Sequence, residues 1–190
     1  SLTRMMLVAE RLTSLGYMQL LFEDAHSYDV LEKTLFITDG PLGLHGTVAP
    51  LKRRFQDYLA AFARQCATNN LPAAPLVVGV EKSGAFVEHA QLIAHLIKPG
   101  HVMLLTTEYI NRVTGRPANN LYGSDEFYGR RFIYRTKSGV ILVFTVPPKP
   151  GVTPYGDPDG ELWSSYPTLR PVCEVLDHVQ TRLYENAVIP

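Results

Sequence analysis

Leu35-Phe36-Ile37-Thr38-Asp39-Gly40-Pro41 is the stretch on which the fold turns. A short run of strand formers stops at Asp-Gly-Pro, a turn signal, so it reads as a buried strand delivering a carboxylate at its C-terminal end. Downstream, Val48, Leu51, Phe55, Leu59 and Phe62 mark an amphipathic helix, and Leu76 to Val80 is a second apolar run behind Pro72 and Pro75. The alternation is strand, helix, strand. Upstream, apolar residues from Leu2 to Leu21 recur at three and four, which predicts a long first helix with Gly16 as its one breaker. Residues 23–33 read as a polar connection.

Beyond the second strand, Glu81-Lys82-Ser83-Gly84 leads into Phe86, Ala90, Ile93, Ala94 and Ile97, a second crossover helix closed by Lys98-Pro99-Gly100. Residues 101–106 form the predicted third strand, and 109–128 read as a loop. Residues 131–136 and 140–146, joined by Lys137-Ser138-Gly139, form a β-hairpin, and 147–160 an extended loop rich in proline and glycine. Leu169, Val172, Cys173, Leu176, Val179 and Leu183 mark the last helix. The expected class is α/β: one domain over residues 1–190, with a mixed sheet flanked by helices and a β-hairpin after the third strand.

Composition limits the function classes. With 18 basic and 18 acidic residues the formal net charge is zero, which excludes a globally basic nucleic-acid sleeve. Hydrophobic residues at 46% and charged residues at 19% suit one sizeable core rather than a disordered chain. The two cysteines, Cys66 and Cys173, lie far apart without a CxxC partner, so neither a disulfide scaffold nor a thiolate zinc site is supported and a reducing, cytoplasmic setting is expected. No apolar run approaches the ~20 residues of a membrane helix, so a soluble protein without a membrane partner is expected. Common nucleotide-binding, serine-hydrolase and zincin motifs are missing from the sequence.

Asp39 is the first candidate, because ligands bind at strand ends in open α/β sheets and a carboxylate there can hold a divalent metal. The same Asp-Gly-Pro also reads as a plain turn. Glu81 ends the next strand as Asp39 ends its own, and Glu10 falls on a different face of the first helix from Met5, Val8 and Leu12. Glu10 also suits a solvated helix surface. Lys82 would neutralise a scissile phosphate, or pair with Glu88 or solvent.

Charge is unevenly spread. Residues 109–137 hold Arg112, Arg116, Arg130, Arg131, Arg135 and Lys137 against Asp125 and Glu126, whereas residues 1–40 hold three basic and six acidic groups. Tyr109, Tyr122, Phe127, Tyr128, Phe132 and Tyr134 are interleaved with the arginines, the mixture a nucleic-acid channel uses for phosphates and base stacking. The expected DNA-binding set is Arg112, Arg116, Arg130, Arg131 and Arg135 with Tyr128. A hairpin whose aromatics fill the core while its arginines are solvated fits Phe132 and Tyr134 equally.

Four ordered stretches carry a resemblance: Leu35 through Leu42 with the helix behind it; Val78-Gly79-Val80-Glu81-Lys82-Ser83-Gly84; Tyr128-Gly129-Arg130-Arg131-Phe132-Ile133-Tyr134; and Leu183-Tyr184-Glu185-Asn186-Ala187. From about Met5 to the end, the chain resembles the NurA nuclease family. The resemblance implies a ribonuclease-H-like core, Mn2+ or Mg2+ as cofactor, DNA as substrate, a homodimer, and a hexameric HerA-type ATPase as partner in DNA end processing or phage defence. Asp39 looks like the family's Asp-Gly metal ligand, Glu10 like the preceding helix glutamate, and Lys82 like the lysine after the Val-Gly strand, with Glu81 as a further ligand. The implied catalytic set is Asp39, Glu10 and Lys82, and the implied metal ligands are Asp39, Glu10 and Glu81.

The family's earlier strand with another Asp-Gly, and its histidine beyond the last helix, have no counterpart here. Together with an opening at Ser1 directly in helical pattern, this reads as a piece of a longer chain. A non-catalytic DNA-binding adaptor on a ring ATPase and a phosphatase-like hydrolase of small phosphate esters stand as alternatives.

Overall fold

The structure is a computed structural model and describes residues 2–71, 75–117 and 122–184. The last quoted stretch, Leu183 to Ala187, therefore lies largely outside the described residues. Five strands form one mixed sheet: β1 (Leu35–Asp39), β2 (Leu76–Glu81), β3 (His101–Leu104), β4 (Arg130–Arg135) and β5 (Ile141–Val146), in the order β1-β2-β5-β4-β3. Six α-helices accompany them: α1 (Leu2–Glu23), α2 (Tyr28–Lys33), α3 (Lys52–Thr68), α4 (Ala85–Ile93), α5 (Thr107–Thr114) and α6 (Leu169–Tyr184). None of the described helices is long and apolar enough to cross a membrane.

β1 and β2 pair in parallel, Asp39 opposite Val80, with α3 as the crossover between them. The hairpin β4–β5 then takes the other edge of β2, with Gly79 opposite Thr145. This arrangement corrects the expectation of a second parallel crossover. Because β5 occupies that edge, β3 joins outside β4, antiparallel to it, and so runs opposite to β2.

The period-two alternation of strand side chains sorts the core onto two faces. Leu76 and Val78 of β2 share a face with Phe132, Tyr134, Phe144 and Val146, covered by Leu169, Val172, Cys173 and Leu176 of α6. On the opposite face, Val77 packs under Met18 of α1 and Phe55, Leu59 and Phe62 of α3, while Ile133 and Val143 pack under Phe86, Ala90 and Ile110 of α4 and α5. Both cysteines are free and buried. Burial pushes the Cys66 thiol up to about 11 and the Cys173 thiol to about 12.

Two helices occupy stretches expected to be irregular. α2 forms within the polar connection because Leu31, wholly buried, anchors one turn against the core. α5 falls at the start of the expected 109–128 loop. The Thr106 hydroxyl accepts the Tyr109 N–H at 3.2 Å, and Gly115 ends the helix in the left-handed region at φ +66. These are ordinary start and stop signals on a helix too short for its apolar period to stand out.

Candidate functional site

The C-terminal end of β1 is held by three neighbours. The Gly40 N–H donates to Val80 O at 2.8 Å, the Leu42 N–H donates to Thr145 Oγ1 at 2.7 Å, and Arg11 Nη2 donates to Pro41 O at 2.9 Å. Gly79 lies beneath this turn, where an added Cβ would stand 2.5 Å from Gly40 O and 2.7 Å from Leu42 N. Only a residue without a side chain lets the turn fold so close over β2.

Glu10 and Asp39 are brought together, across 29 residues of sequence. Glu10 Oε1 accepts the Asp39 N–H at 3.2 Å, which satisfies a backbone donor on an edge strand. The Asp39 carboxylate pairs instead with Lys82, Nζ to Oδ2 at 3.2 Å, a partner that the sequence reading did not name for this lysine. Asp39, Lys82 and Glu10 are all substantially exposed, with side chains 66%, 73% and 42% accessible, so the group is open to a ligand. Arg11, next to Glu10, is buried, its Nη1 lying 3.8 Å from Glu10 Oε2.

Glu81 does not join them. Asp39 faces Val80 in the register, so Glu81, one residue on, projects to the opposite face of the sheet. There it is ion-paired with Arg131, Oε1 to Nε at 2.5 Å and Oε2 to Nη2 at 3.3 Å. Among the described residues no group of three His, Cys, Asp or Glu side chains is placed to hold a metal ion. Asp39 and Glu10 are hard oxygen donors, the donor type that Mg2+ and Mn2+ take, but they are two carboxylates, one paired with Lys82 and the other seated on the Asp39 amide. His45, the histidine nearest in sequence, pairs with Glu126 at 3.1 Å.

The expected DNA-binding set needs correction at four positions. Arg130 is fully buried, donating to Leu105 O, Pro154 O and Glu161 Oε1. Arg131 is 3% exposed; besides Glu81 it donates to the Tyr122 hydroxyl at 2.7 Å and lies 4.1 Å from the Phe86 ring centre. Burial alone would lower its affinity for the proton, but Tyr155, Glu81 and Tyr122 around it raise it and keep the guanidinium charged. Arg135 closes the turn after α4 through Ala94 O and Ile97 O. Tyr128 is buried, and desolvation pushes its phenol up to about 12 against the opposing pull of Arg11.

Tyr122, Phe127, Phe132 and Tyr134 are core residues as well. Adjacent strand residues point to opposite faces, yet β4 lies inside the sheet with packing on both, so Arg130 and Arg131 are each enclosed. Arg112 and Arg116 alone of the set are exposed, Arg112 paired with Glu108 at 2.8 Å.

A cleft of about 950 Å³ between α3 and residues 147–153 gathers cations that the sequence reading passed over. Lys52, Arg53, Arg64 and Lys149 line it against Asp57 and Asp125, a local excess of positive charge in a neutral chain. Lys52 donates to Ser124 O at 2.9 Å, and burial lowers its pKa although Asp125 opposes this. Tyr128 lines the cleft, and Arg11, which flanks Glu10, acts on its phenol, so cleft and carboxylate pair adjoin through these two side chains. The available signal was the run Lys52-Arg53-Arg54 at the head of an amphipathic helix.

Comparison with known proteins finds no family model, no curated relative and no solved structure that matches this chain.

Proposed function

We propose that this chain is a metal-dependent DNA nuclease domain of the NurA kind, hydrolysing phosphodiesters in the cytoplasm beside a HerA-type ATPase, on a ribonuclease-H-like sheet. The observation that carries the reading is the seating of Glu10 on the Asp39 amide with Lys82 on the Asp39 carboxylate, three groups from three elements at one strand end. Asp39 and Glu10 would hold Mn2+ or Mg2+, which when bound supplies an activated water and stabilises charge on the phosphoryl oxygens. Lys82 then turns from Asp39 to a phosphate oxygen. The cations of the cleft position the strand, taking the role that the sequence reading assigned to Arg130, Arg131 and Arg135.

A second reading, a non-catalytic DNA-binding adaptor on the ring ATPase, is favoured by the commitment of Glu81 to Arg131, which takes the third expected carboxylate off the site. The assay is cleavage of linear DNA with Mn2+, alone and with the ATPase. The nuclease reading expects Asp39→Asn and Glu10→Gln to lower the rate by orders of magnitude while leaving thermal stability nearly unchanged, because Asp39 and Glu10 stand at the surface. Binding of DNA without cleavage under both conditions would establish the adaptor instead.

A further inference from the structure

The sheet has two edges, and they are treated differently. At the first, Glu10 of α1 accepts the Asp39 N–H of β1. At the other, β3 pairs with β4, and among the described residues no strand lies along its outer side. The Leu105 N–H donates to Arg131 O at 3.2 Å. In the antiparallel alternation Leu105 and Met103 therefore turn their backbone groups toward β4, while Val102 and Leu104 turn theirs outward. The strand itself, His101-Val102-Met103-Leu104, holds no proline, lysine or carboxylate of the kind that guards an edge.

A groove of about 490 Å³ runs beside this edge, between β3 and α6. Val102 and Tyr134 form its floor and Leu169 and Cys173 of α6 one wall. Trp163, the only tryptophan of the chain, stands in it 52% exposed, its ring centre 6.1 Å from that of Phe132. The acids of the groove are engaged: Asp177 accepts the Tyr134 hydroxyl at 2.7 Å and the Lys137 N–H at 3.0 Å, and Glu174 pairs with Arg170 at 3.0 Å. Lys137 lies against Gly100, just before β3, and Lys98 adds a second exposed cation there, so the His101 end of the groove is the positive one.

We propose that the outer edge of β3 and this groove form a docking site for an extended peptide segment of another protein, added to the sheet as a sixth strand antiparallel to β3. The outward N–H and C=O groups of Val102 and Leu104 supply hydrogen bonds that any sequence can meet, and alternate peptide side chains fall on the groove face. An added strand lies ~4.8 Å outside β3, near enough for a large apolar side chain to lean over Val102 onto Trp163 and Leu169. Antiparallel entry carries the C-terminal end of the peptide to the His101 end, where Lys98 and Lys137 meet its carboxylates. The recognised chemistry is thus a strand with large apolar residues at alternate positions and acid toward its C-terminus. β3 and β1 are opposite edges of the sheet, and the proposal does not rest on the nuclease reading.

A displayed library of random peptides about ten residues long, with free C-termini, tests it by panning on the 190-residue protein with counter-selection on Val102→Pro. Proline at 102 removes an outward N–H from an edge strand and spares the bonds to β4, so circular dichroism and melting should stay native. Enriched peptides should show the alternating apolar pattern with Asp or Glu near the C-terminus. A synthetic copy of the most enriched peptide should perturb Trp163 fluorescence, and by anisotropy should bind Val102→Pro and Trp163→Ala each at least ~10-fold more weakly than wild type. Lys137→Glu should weaken it as well. Amide hydrogen exchange reads the geometry: Val102 and Leu104 should exchange fast in the free protein and become protected by the peptide, whereas Met103, whose N–H faces β4, changes little. Should Val102→Pro fail to fold, Trp163→Ala serves for counter-selection and the exchange data decide. The proposal is overturned if no peptide is enriched, or if the selected peptide binds without protecting those two amides. Protection of both amides in the protein alone would also overturn it, because the edge would then be covered already by this chain or a second copy.

Discussion

Arg131 and Glu81 form a two-pronged ion pair inside the sheet, Nε to Oε1 at 2.5 Å and Nη2 to Oε2 at 3.3 Å, with both side chains at least nine-tenths buried. This pair removes Arg131 from the expected DNA surface and Glu81 from the expected metal site together. Each ion answers the burial of the other, and the rings of Phe86 and Phe127 enclose the guanidinium.

Breaking the pair should therefore appear as lost stability. Glu81→Gln leaves a buried cation without its counter-ion and should cost about 3–5 kcal/mol, with a similar loss for Arg131→Ala. For a chain of this length each kcal/mol lowers the melting temperature by roughly 2–4 °C, so calorimetry resolves the change easily. The double variant Glu81→Gln/Arg131→Ala should lose less than the sum of the two single changes. Unchanged melting in both single variants would return Arg131 and Glu81 to the surface.

Acid should destabilise the protein partly through Glu161. Burial alone would raise the pKa of its carboxyl, but the Thr107 N–H at 2.7 Å, the Thr107 hydroxyl and Arg130 overcome this and hold it below the ordinary 4.5. A depressed folded-state pKa contributes stability that is present above the unfolded value and lost as pH falls through the folded one. Urea midpoints should thus decline below pH 4.5, and Glu161→Gln should flatten that decline while lowering stability at pH 7. An identical acid limb in the variant would show that Glu161 is not linked to folding.

DNA affinity should follow the cleft rather than the hairpin. Arg64→Ala and Lys149→Ala remove exposed cations, so each should weaken DNA binding and reduce the slope of log affinity against log salt by about one, with melting unchanged. Fluorescence anisotropy across a salt series gives both quantities. If neither variant alters the slope, the cleft is not the DNA path.

The strands of this fold were legible in the sequence because their signals are local. Leu35 to Asp39 and Leu76 to Glu81 are short apolar runs bounded by turn residues, and the helix between them fits the parallel pairing that the structure displays. The hairpin announced itself through Lys137-Ser138-Gly139, with Gly139 at φ +94 in the turn. The helix face of Glu10 left a solvated glutamate open and only the family resemblance joined it to Asp39; the packing of α1 along the edge of β1 makes the two a contact.

What the tertiary structure alone decided is which charges are hidden. Arginines beside aromatics read the same whether a hairpin is wet or enclosed, and only the placement of β4 inside the sheet, packed on both faces, buries Arg130 and Arg131 with Glu161 and Glu81 as counter-ions. Glu81 is kept from Asp39 by one step of strand alternation, which depends on the register between β1 and β2. Burial and register are sums over contacts distant in sequence; no local pattern carries them, and they set the charges on the surface of this protein.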